Sequence, residues 1–177
     1  MDYPRDETTL ADGGAGGSRM APPLVDIEHF GSNPGNLRMR LHVPAGGGEG
    51  RPLVVALHGC TQTAAGFGAA SGWMALADAH DFLLLLPEQR PANNRKTCFS
   101  WFEPHDARRG EGEVESIRQM VDATLAMHGA DARRVFVTGL SAGGAMACAM
   151  AAAYPELFAG AAIVAGLPYG AASGMAQ

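Results

Sequence analysis

One serine lies between two glycines at a predicted strand-to-helix turn, where a hydroxyl can act as a nucleophile. The sequence around Ser141 reads Thr-Gly-Leu-Ser-Ala-Gly-Gly. An apolar run at 135–137 precedes it, and small residues without proline follow at 142–153, which indicates a strand, a sharp turn and a helix. Such a turn leaves no room for a Cβ at Gly139 or Gly143 and exposes the hydroxyl, so we interpret Ser141 as the nucleophile of a nucleophile elbow. The alternative is a plain glycine-rich turn, since a short pattern also occurs by chance.

A serine that attacks an acyl carbon creates an oxyanion, which two backbone N–H groups must stabilise. Removing one such donor typically costs about 10²- to 10³-fold in rate. We expect one donor to be Ala142, the residue after the serine, and the other to be Cys60, which ends the segment His58-Gly59-Cys60 after a predicted central strand. For His58 two roles are open, a general base and a residue that braces this loop by hydrogen bonding. Its place on the oxyanion side favours the brace.

Length, charge and composition argue against several other classes of protein. The 177 residues suffice for one domain with a core, and 47% of them are hydrophobic. A net charge of −5 without a basic run argues against nucleic-acid binding, and no apolar stretch approaches the ~20 residues that span a bilayer. None of the three cysteines has metal-ligand spacing, so we expect no metal site and no cofactor. Residues 1–20, acidic and then glycine-rich, are predicted to be a disordered tail and not a signal peptide.

The elements that must position the serine alternate between strands and helices. Segments 24–30 and 37–43 are predicted to form an antiparallel hairpin, and the runs at 52–57 and 82–86 are apolar throughout, as in central strands of a parallel sheet. This alternation predicts an α/β fold, and with the serine turn it indicates the three-layer sandwich of an α/β hydrolase with a mostly parallel sheet. Helices are predicted at 71–80, 113–128 and 142–153, and a long loop at 88–112. Two further strands are predicted at 134–138 and 161–165, and the strand at 161–165 is expected to be buried.

Local signals predict where some of these elements begin and end. Ser71 is the expected N-cap of the helix at 71–80. Pro87 is expected to end the strand at 82–86. Glu111, Glu113 and Glu115 lie at the dipole-positive start of the second helix, where negative charge is favourable.

Several short motifs are specific in combination. They are Leu57-His58-Gly59-Cys60-Thr61-Gln62, Pro87-Glu88-Gln89, Cys98 with Trp101-Phe102-Glu103-Pro104, Arg109-Gly110, and Gly139-Leu140-Ser141-Ala142-Gly143-Gly144-Ala145-Met146. In these motifs, over about residues 24–170, the sequence resembles the polyhydroxybutyrate (PHB) depolymerase family of esterases, which is close to feruloyl and acetylxylan esterases. The resemblance implies an extracellular serine esterase that acts on polyhydroxyalkanoate or hydroxybutyrate esters through an acyl-enzyme. Feruloyl or acetylxylan ester hydrolysis is the alternative.

The resemblance also implies roles for three residues outside the serine turn. Cys60 and Cys98 are expected to form a disulfide that ties the long loop to the rim of the active site. Trp101 is expected to line the cleft for a small-molecule or polymeric ester. The alternatives are two buried free thiols and a core tryptophan.

The chain departs from α/β hydrolases after Ser141. In that fold the triad follows the order Ser, Asp or Glu, His. After Ser141 there is no aspartate or histidine, the only acid is Glu156, and all six histidines come earlier. A serine without its base is a weak nucleophile, so the chain alone is expected to be close to inactive. One interpretation is that residues 21–177 are the N-terminal part of a catalytic domain, which the uncovered last strand favours; the other is a non-catalytic relative that binds its ligand.

Overall fold

A mixed sheet carries the serine turn. The structure is a computed structural model that describes residues 24–173, so the predicted tail at 1–20 lies outside the described residues. Within them the strands are β1 (Val25–Ile27), β2 (Arg38–His42), β3 (Leu53–Leu57), β4 (Leu83–Glu88), β5 (Val135–Leu140) and β6 (Gly160–Val164). The helices are α1 (Ala64–Ala70), α2 (Trp73–His80), α3 (Pro104–Ala107), α4 (Gly112–His128) and α5 (Ala142–Ala153).

The strands follow the order β1-β2-β4-β3-β5-β6 across the sheet. β3 to β6 run parallel, whereas β1 and β2 form an antiparallel hairpin whose second strand pairs antiparallel with β4. The predicted hairpin and the predicted parallel strands are confirmed. β3 pairs with β5, and Leu57 lies opposite Gly139. The segments that follow these two strands therefore leave the sheet at the same edge, beside each other.

Apolar side chains on the two faces of the sheet form two separate cores. In β4, Leu83 and Leu85 belong to the core shared with α4 and α5, while Leu84 and Leu86 belong to the core shared with α1 and α2. They alternate because successive side chains of a strand point to opposite faces. The result is the predicted three-layer α/β arrangement. No helix among residues 24–173 is long and apolar enough to cross a bilayer.

The region around Ser71 differs from the prediction because a short helix, α1, precedes it. The Ser71 hydroxyl donates to Phe67 O (2.6 Å), so Ser71 ends α1 and does not cap α2. The residue before α2 is Gly72, whose φ of 79° lies in the left-handed region that glycine adopts without strain. The sequence of α1 is mostly alanine and glycine, so it has too weak an apolar stripe to predict a helix.

Two further predictions of secondary structure were wrong. β4 does not end before Pro87 but runs through it to Glu88. Proline has no N–H to donate, but β3 pairs with β4 only as far as Leu85, so no bond to β3 is lost at Pro87. The segment predicted to be a long loop contains the short helix α3, which begins at Pro104, a favourable residue for a first helical turn.

The last strand, β6, is present but is not buried as predicted. Within the described residues it pairs only with β5. Ile163 and Val164 are 41% and 52% exposed. An apolar composition predicted the strand correctly, but it could not show what covers it.

Replacing Gly139 by alanine is expected to destabilise the protein by about 2–4 kcal/mol. A Cβ at Gly139 would lie 2.1 Å from Gly143 O, so α5 would have to move away from β5. Gly160→Ala is the control on the neighbouring strand, because a Cβ there would have its nearest contact at 3.4 Å. It should change the free energy of unfolding by less than about 1 kcal/mol. Urea unfolding measures both, and equal losses would contradict the steric explanation.

Candidate active site

Ser141 is the single residue between β5 and α5. Its φ is 56° and its ψ is −118°. A residue with a side chain rarely adopts a positive φ, so surrounding contacts must hold it there. Its N–H donates to Val164 O (2.9 Å), and its carbonyl accepts from the Ala145 N–H (2.9 Å). The Ser141 side chain is exposed, and its hydroxyl makes no hydrogen bond to any residue in the described part of the chain.

Glycines let the loop after β3 approach the serine turn closely. A Cβ at Gly143 would lie 2.2 Å from Leu57 O and 2.4 Å from His58 O, so a side chain does not fit there. A Cβ at Gly59 would lie 3.6 Å from the Ser141 Cβ. The first turn of α5 is therefore in backbone contact with the end of β3, and the loop that carries Cys60 borders the serine.

The two amides expected to act as oxyanion donors are those of Cys60 and Ala142. Neither N–H donates a hydrogen bond to a residue within 24–173. The amides on either side of Cys60 are occupied: the Gly59 N–H donates to a glutamine side chain (2.8 Å) and the Thr61 N–H to a backbone carbonyl (2.6 Å). Of these three amides, only that of Cys60 remains available to a ligand atom.

His58 braces this loop and is not available as a base. It is fully buried, and its Nε2 accepts the Gln89 N–H (3.1 Å), so the proton lies on Nδ1, which donates to Gly59 O (2.8 Å). Burial lowers the pKa of the imidazole, while the Gly59 carbonyl and the charge of Glu88 act in the opposite direction. The ring also packs on Phe99, with centroids 4.8 Å apart. The interpretation of His58 as a brace is confirmed.

A disulfide joins Cys60 to Cys98, whose Cα atoms are 4.2 Å apart. It connects the loop after β3 to the aromatic segment that contains Trp101. Trp101 is half-buried and packs edge-to-face on Phe102, with ring centroids 5.6 Å apart. It also contacts the core that the sheet shares with α4 and α5. It also lines an open cavity of about 210 Å³ together with Phe102 and Tyr169. Trp101 thus has both a core contact and a surface that a ligand can reach.

Glu113 was predicted to be one of three negative charges at the start of α4, but its carboxyl group is buried. Glu113, near the start of α4, is 1% exposed. Its Oε2 accepts the Ser100 N–H (2.8 Å) and its Oε1 accepts from Gln89 Nε2 (2.5 Å). Burial raises its pKa to about 8, the nearby Asp106 adds to the rise, and the hydrogen bonds from Ser100 and Gln89 oppose it. In the sequence Glu113 looks like its two acidic neighbours, so only the packing shows that it points inward.

The described residues bring no base to Ser141. Glu156 lies beyond the far end of α5, whose 12 residues span about 18 Å, and its carboxylate pairs with Arg109 (2.5 Å). All six histidines lie within the described residues, and none hydrogen-bonds to Ser141. No cluster of three potential metal-ligating side chains occurs among residues 24–173.

The same architecture occurs in solved esterase structures. Acetyl xylan esterase from Aspergillus awamori superposes with a TM-score of 0.79 at 35% identity, covering 84% of this chain and 53% of that one. A poly(3-hydroxybutyrate) depolymerase from Bordetella parapertussis shares the fold with a TM-score of 0.61 at 20% identity, covering 77% of this chain and 50% of that one. The fold and the serine turn define an α/β hydrolase.

A family model described as Esterase PHB depolymerase matches residues 37–176. The chain belongs to the PHB depolymerase family of esterases. It is 56% identical over 152 residues to poly(3-hydroxyalkanoate) depolymerase C of Paucimonas lemoignei, covering 86% of this chain and 36% of that protein. It is 36% identical over 155 residues to feruloyl esterase B of Neurospora crassa, covering 87% of this chain and 52% of that protein. The chain thus spans between about a third and a half of the length of these relatives.

The free energy of unfolding of the wild type is expected to fall as pH rises from about 7 to about 8. Its slope should be steeper than that of Glu113→Gln by up to about 1 kcal/mol per pH unit. The folded protein keeps the proton on Glu113, whose pKa is raised to about 8, whereas the unfolded chain, with a value of 4.5, has already lost it. The unfolded state therefore binds fewer protons, and stability falls as pH rises until pH passes the folded pKa.

Glu115→Gln is the control for this prediction, because Arg118 lowers the pKa of Glu115 to about 2. That carboxylate is ionised in both states near neutral pH, so the variant should keep the wild-type slope. Urea titrations at several pH values measure all three proteins. Parallel curves for the wild type and Glu113→Gln would show that Glu113 does not titrate in this range.

Proposed function

We propose that the whole protein is a serine-dependent carboxylic-ester hydrolase with Ser141 as its nucleophile. The observation that carries the proposal is the turn between β5 and α5, where an exposed serine is held at φ 56° beside a loop whose Cys60 amide is unoccupied. Membership of an esterase family supports the reaction class. We propose further that Cys60 and Ala142 supply the two N–H donors of the oxyanion hole.

In this mechanism the Ser141 Oγ attacks the carbonyl carbon of the ester, and the π electrons of the carbonyl move onto its oxygen. The N–H groups of Cys60 and Ala142 stabilise the negative charge. Collapse of the intermediate expels the alcohol and leaves an acyl ester on Ser141, which a water molecule hydrolyses by the same route. The serine proton passes to a base and from the base to the leaving alcohol.

Proton transfer is the step that the described residues do not support. His58 is committed to bracing the loop, and Glu156 is paired beyond the far end of α5. No aspartate or histidine follows Ser141 in the 177 residues. This chain alone is therefore expected to be close to inactive, since turnover requires an imidazole and a carboxylate that it does not bring to the serine.

We propose polyhydroxyalkanoate or hydroxybutyrate esters as the substrate class. The identity to a poly(3-hydroxyalkanoate) depolymerase, 56%, exceeds the 36% to a feruloyl esterase and the 37% to the acetylxylan esterase A of Aspergillus oryzae. The cavity beside Trp101 is lined by several apolar side chains but not by Ser141, Cys60 or Ala142, so the proposed substrate class rests on the sequence identity. Feruloyl or acetylxylan esters are the alternative substrates.

We also propose that the protein acts outside the cell. The Cys60–Cys98 disulfide supports this location, because such bonds persist in oxidising compartments. A second candidate function is the binding of a polymer without hydrolysis. It is favoured by the lack of a base beside Ser141 among residues 24–173.

Ser141→Ala is expected to lower kcat for p-nitrophenyl butyrate by about 10³-fold or more in the protein as its gene encodes it, because the nucleophile is lost. A fluorophosphonate probe should label the wild type at Ser141, as located by peptide mass spectrometry. Ser71→Ala is the control, because Ser71 is exposed and its hydroxyl bonds to a carbonyl within α1. Equal labelling of Ser141→Ala and wild type would refute the role of Ser141.

The substrate class is tested by comparing kcat/KM for short hydroxybutyrate oligomers, methyl ferulate and p-nitrophenyl butyrate. We expect the highest value for the oligomers. A preference for methyl ferulate would assign the protein to the feruloyl esterases. Polymer binding without turnover, retained in Ser141→Ala, would establish the binding function instead.

A further inference from the structure

Gln89, the residue after β4, is bonded to three segments around the serine turn. Its N–H donates to His58 Nε2 (3.1 Å), and its side-chain Nε2 donates to Cys98 O (3.2 Å) and to Glu113 Oε1 (2.5 Å). Its side-chain oxygen accepts from the Arg90 N–H (2.9 Å). Gln89 is 2% exposed, and both polar atoms of its side chain are hydrogen-bonded. It cannot move without breaking a bond near the loop after β3 or in the disulfide-linked segment.

Glu113 completes this link from α4. One of its oxygens binds Gln89, and the other accepts the N–H of Ser100, the residue before Trp101. Through Gln89 and His58 the same carboxyl group is connected to the carbonyl of Gly59, next to Cys60. Glu113 is therefore bonded directly to the segment of Trp101 and indirectly, through Gln89 and His58, to the loop of Cys60.

A role in stability alone does not explain a carboxyl group at this position. Glu113 is almost completely buried, and both of its hydrogen-bonded partners are neutral N–H groups. Burying a carboxyl group beside a second acid, Asp106, costs free energy, which is why its pKa is raised. An apolar side chain would fill the same space without that cost, but it would lack the two acceptor oxygens.

We propose that Glu113 is a positioning residue for ester hydrolysis. Its two oxygens keep the loop of Cys60 and the segment of Trp101 in fixed relation, so that the Cys60 N–H and the Trp101 ring meet the same substrate. The catalytic consequence rests on the function proposed above. The positioning itself rests on the hydrogen bonds that Glu113 and Gln89 make.

Glu113→Gln tests the link because it keeps the size of the side chain but replaces one oxygen by an NH₂ group. Both oxygens of protonated Glu113 can still accept a hydrogen bond, whereas the NH₂ group cannot accept one from the donor that it faces. In the protein as its gene encodes it, we expect kcat for p-nitrophenyl butyrate to fall about ten-fold, a larger change than the rise in KM that release of the Trp101 segment causes. The reason is that an oxyanion donor acts mainly in the transition state. Glu115→Gln is the matched control on the same helix. The Glu115 carboxylate bonds to Tyr154 and Arg118, so kcat should stay within about two-fold of wild type.

A second measurement needs no activity and uses the 177-residue chain. The chain has two tryptophans, so Trp101 is the only one in a Trp73→Phe background. Added to that background, Glu113→Gln is expected to shift the emission maximum of Trp101 and to raise its quenching by acrylamide at least about two-fold, because the segment is released from α4. Glu115→Gln should leave both signals unchanged.

Loss of kcat together with increased quenching in Glu113→Gln alone supports the proposal. Equal effects of both glutamate variants, or an unchanged Trp101 signal in Glu113→Gln, overturns it. If the wild type shows no activity that depends on Ser141, the proposed function fails, and the fluorescence measurement still decides the positioning. If Glu113→Gln does not fold, Glu113→Asp is used in its place. Aspartate keeps both oxygens, but its side chain is one methylene shorter, so the oxygens lie further from Gln89 and Ser100. Smaller changes in the same direction then support the proposal, and no change overturns it.

Discussion

Direct backbone contact between the first turn of α5 and the ends of β3 and β5 is the constraint on which the site depends. Gly143 lies against the carbonyls of Leu57 and His58, and Gly139 lies against Gly143, with no space for a Cβ at either position. The chain must turn from strand to helix within one residue, so Ser141 takes a positive φ and its side chain is directed out of the core. The same contact places the loop of Cys60 beside the serine.

Buried polar groups hold the loop of Cys60 in place through hydrogen bonds. Neutral His58 accepts the amide of Gln89 and donates to the loop, and Gln89 is bonded in turn to Glu113. Such groups contribute little net stability, because each loses its hydration when buried. Their value is geometric: a fully hydrogen-bonded network has few alternative arrangements, whereas apolar packing allows small displacements. The disulfide adds a covalent link between the same two segments.

The described residues contain an exposed serine at a strand-to-helix turn and, beside it, a loop whose Cys60 amide is unoccupied. The fold and the family are shared with esterases. Proton transfer requires an acid–base pair that residues 24–173 do not bring to Ser141. For the ester hydrolysis that we propose, the described residues thus offer a serine and backbone N–H donors but no base beside the serine.

The sequence by itself determined the strands of the sheet, the three longer helices and the position of the serine turn, because these depend on apolar periodicity and on glycines that no other residue can replace. It did not determine the burial of β6, the cap at Gly72 or the passage of β4 through Pro87, because each depends on what lies beside the element. Only the tertiary structure decided that Glu113 points inward, because its acidic neighbours have the same local signals. Likewise, the backbone N–H of Gln89 donates to Nε2 of His58 and so fixes the imidazole proton on Nδ1. Gln89 is distant from His58 in the sequence, and periodicity along one segment carries no information about such a partner.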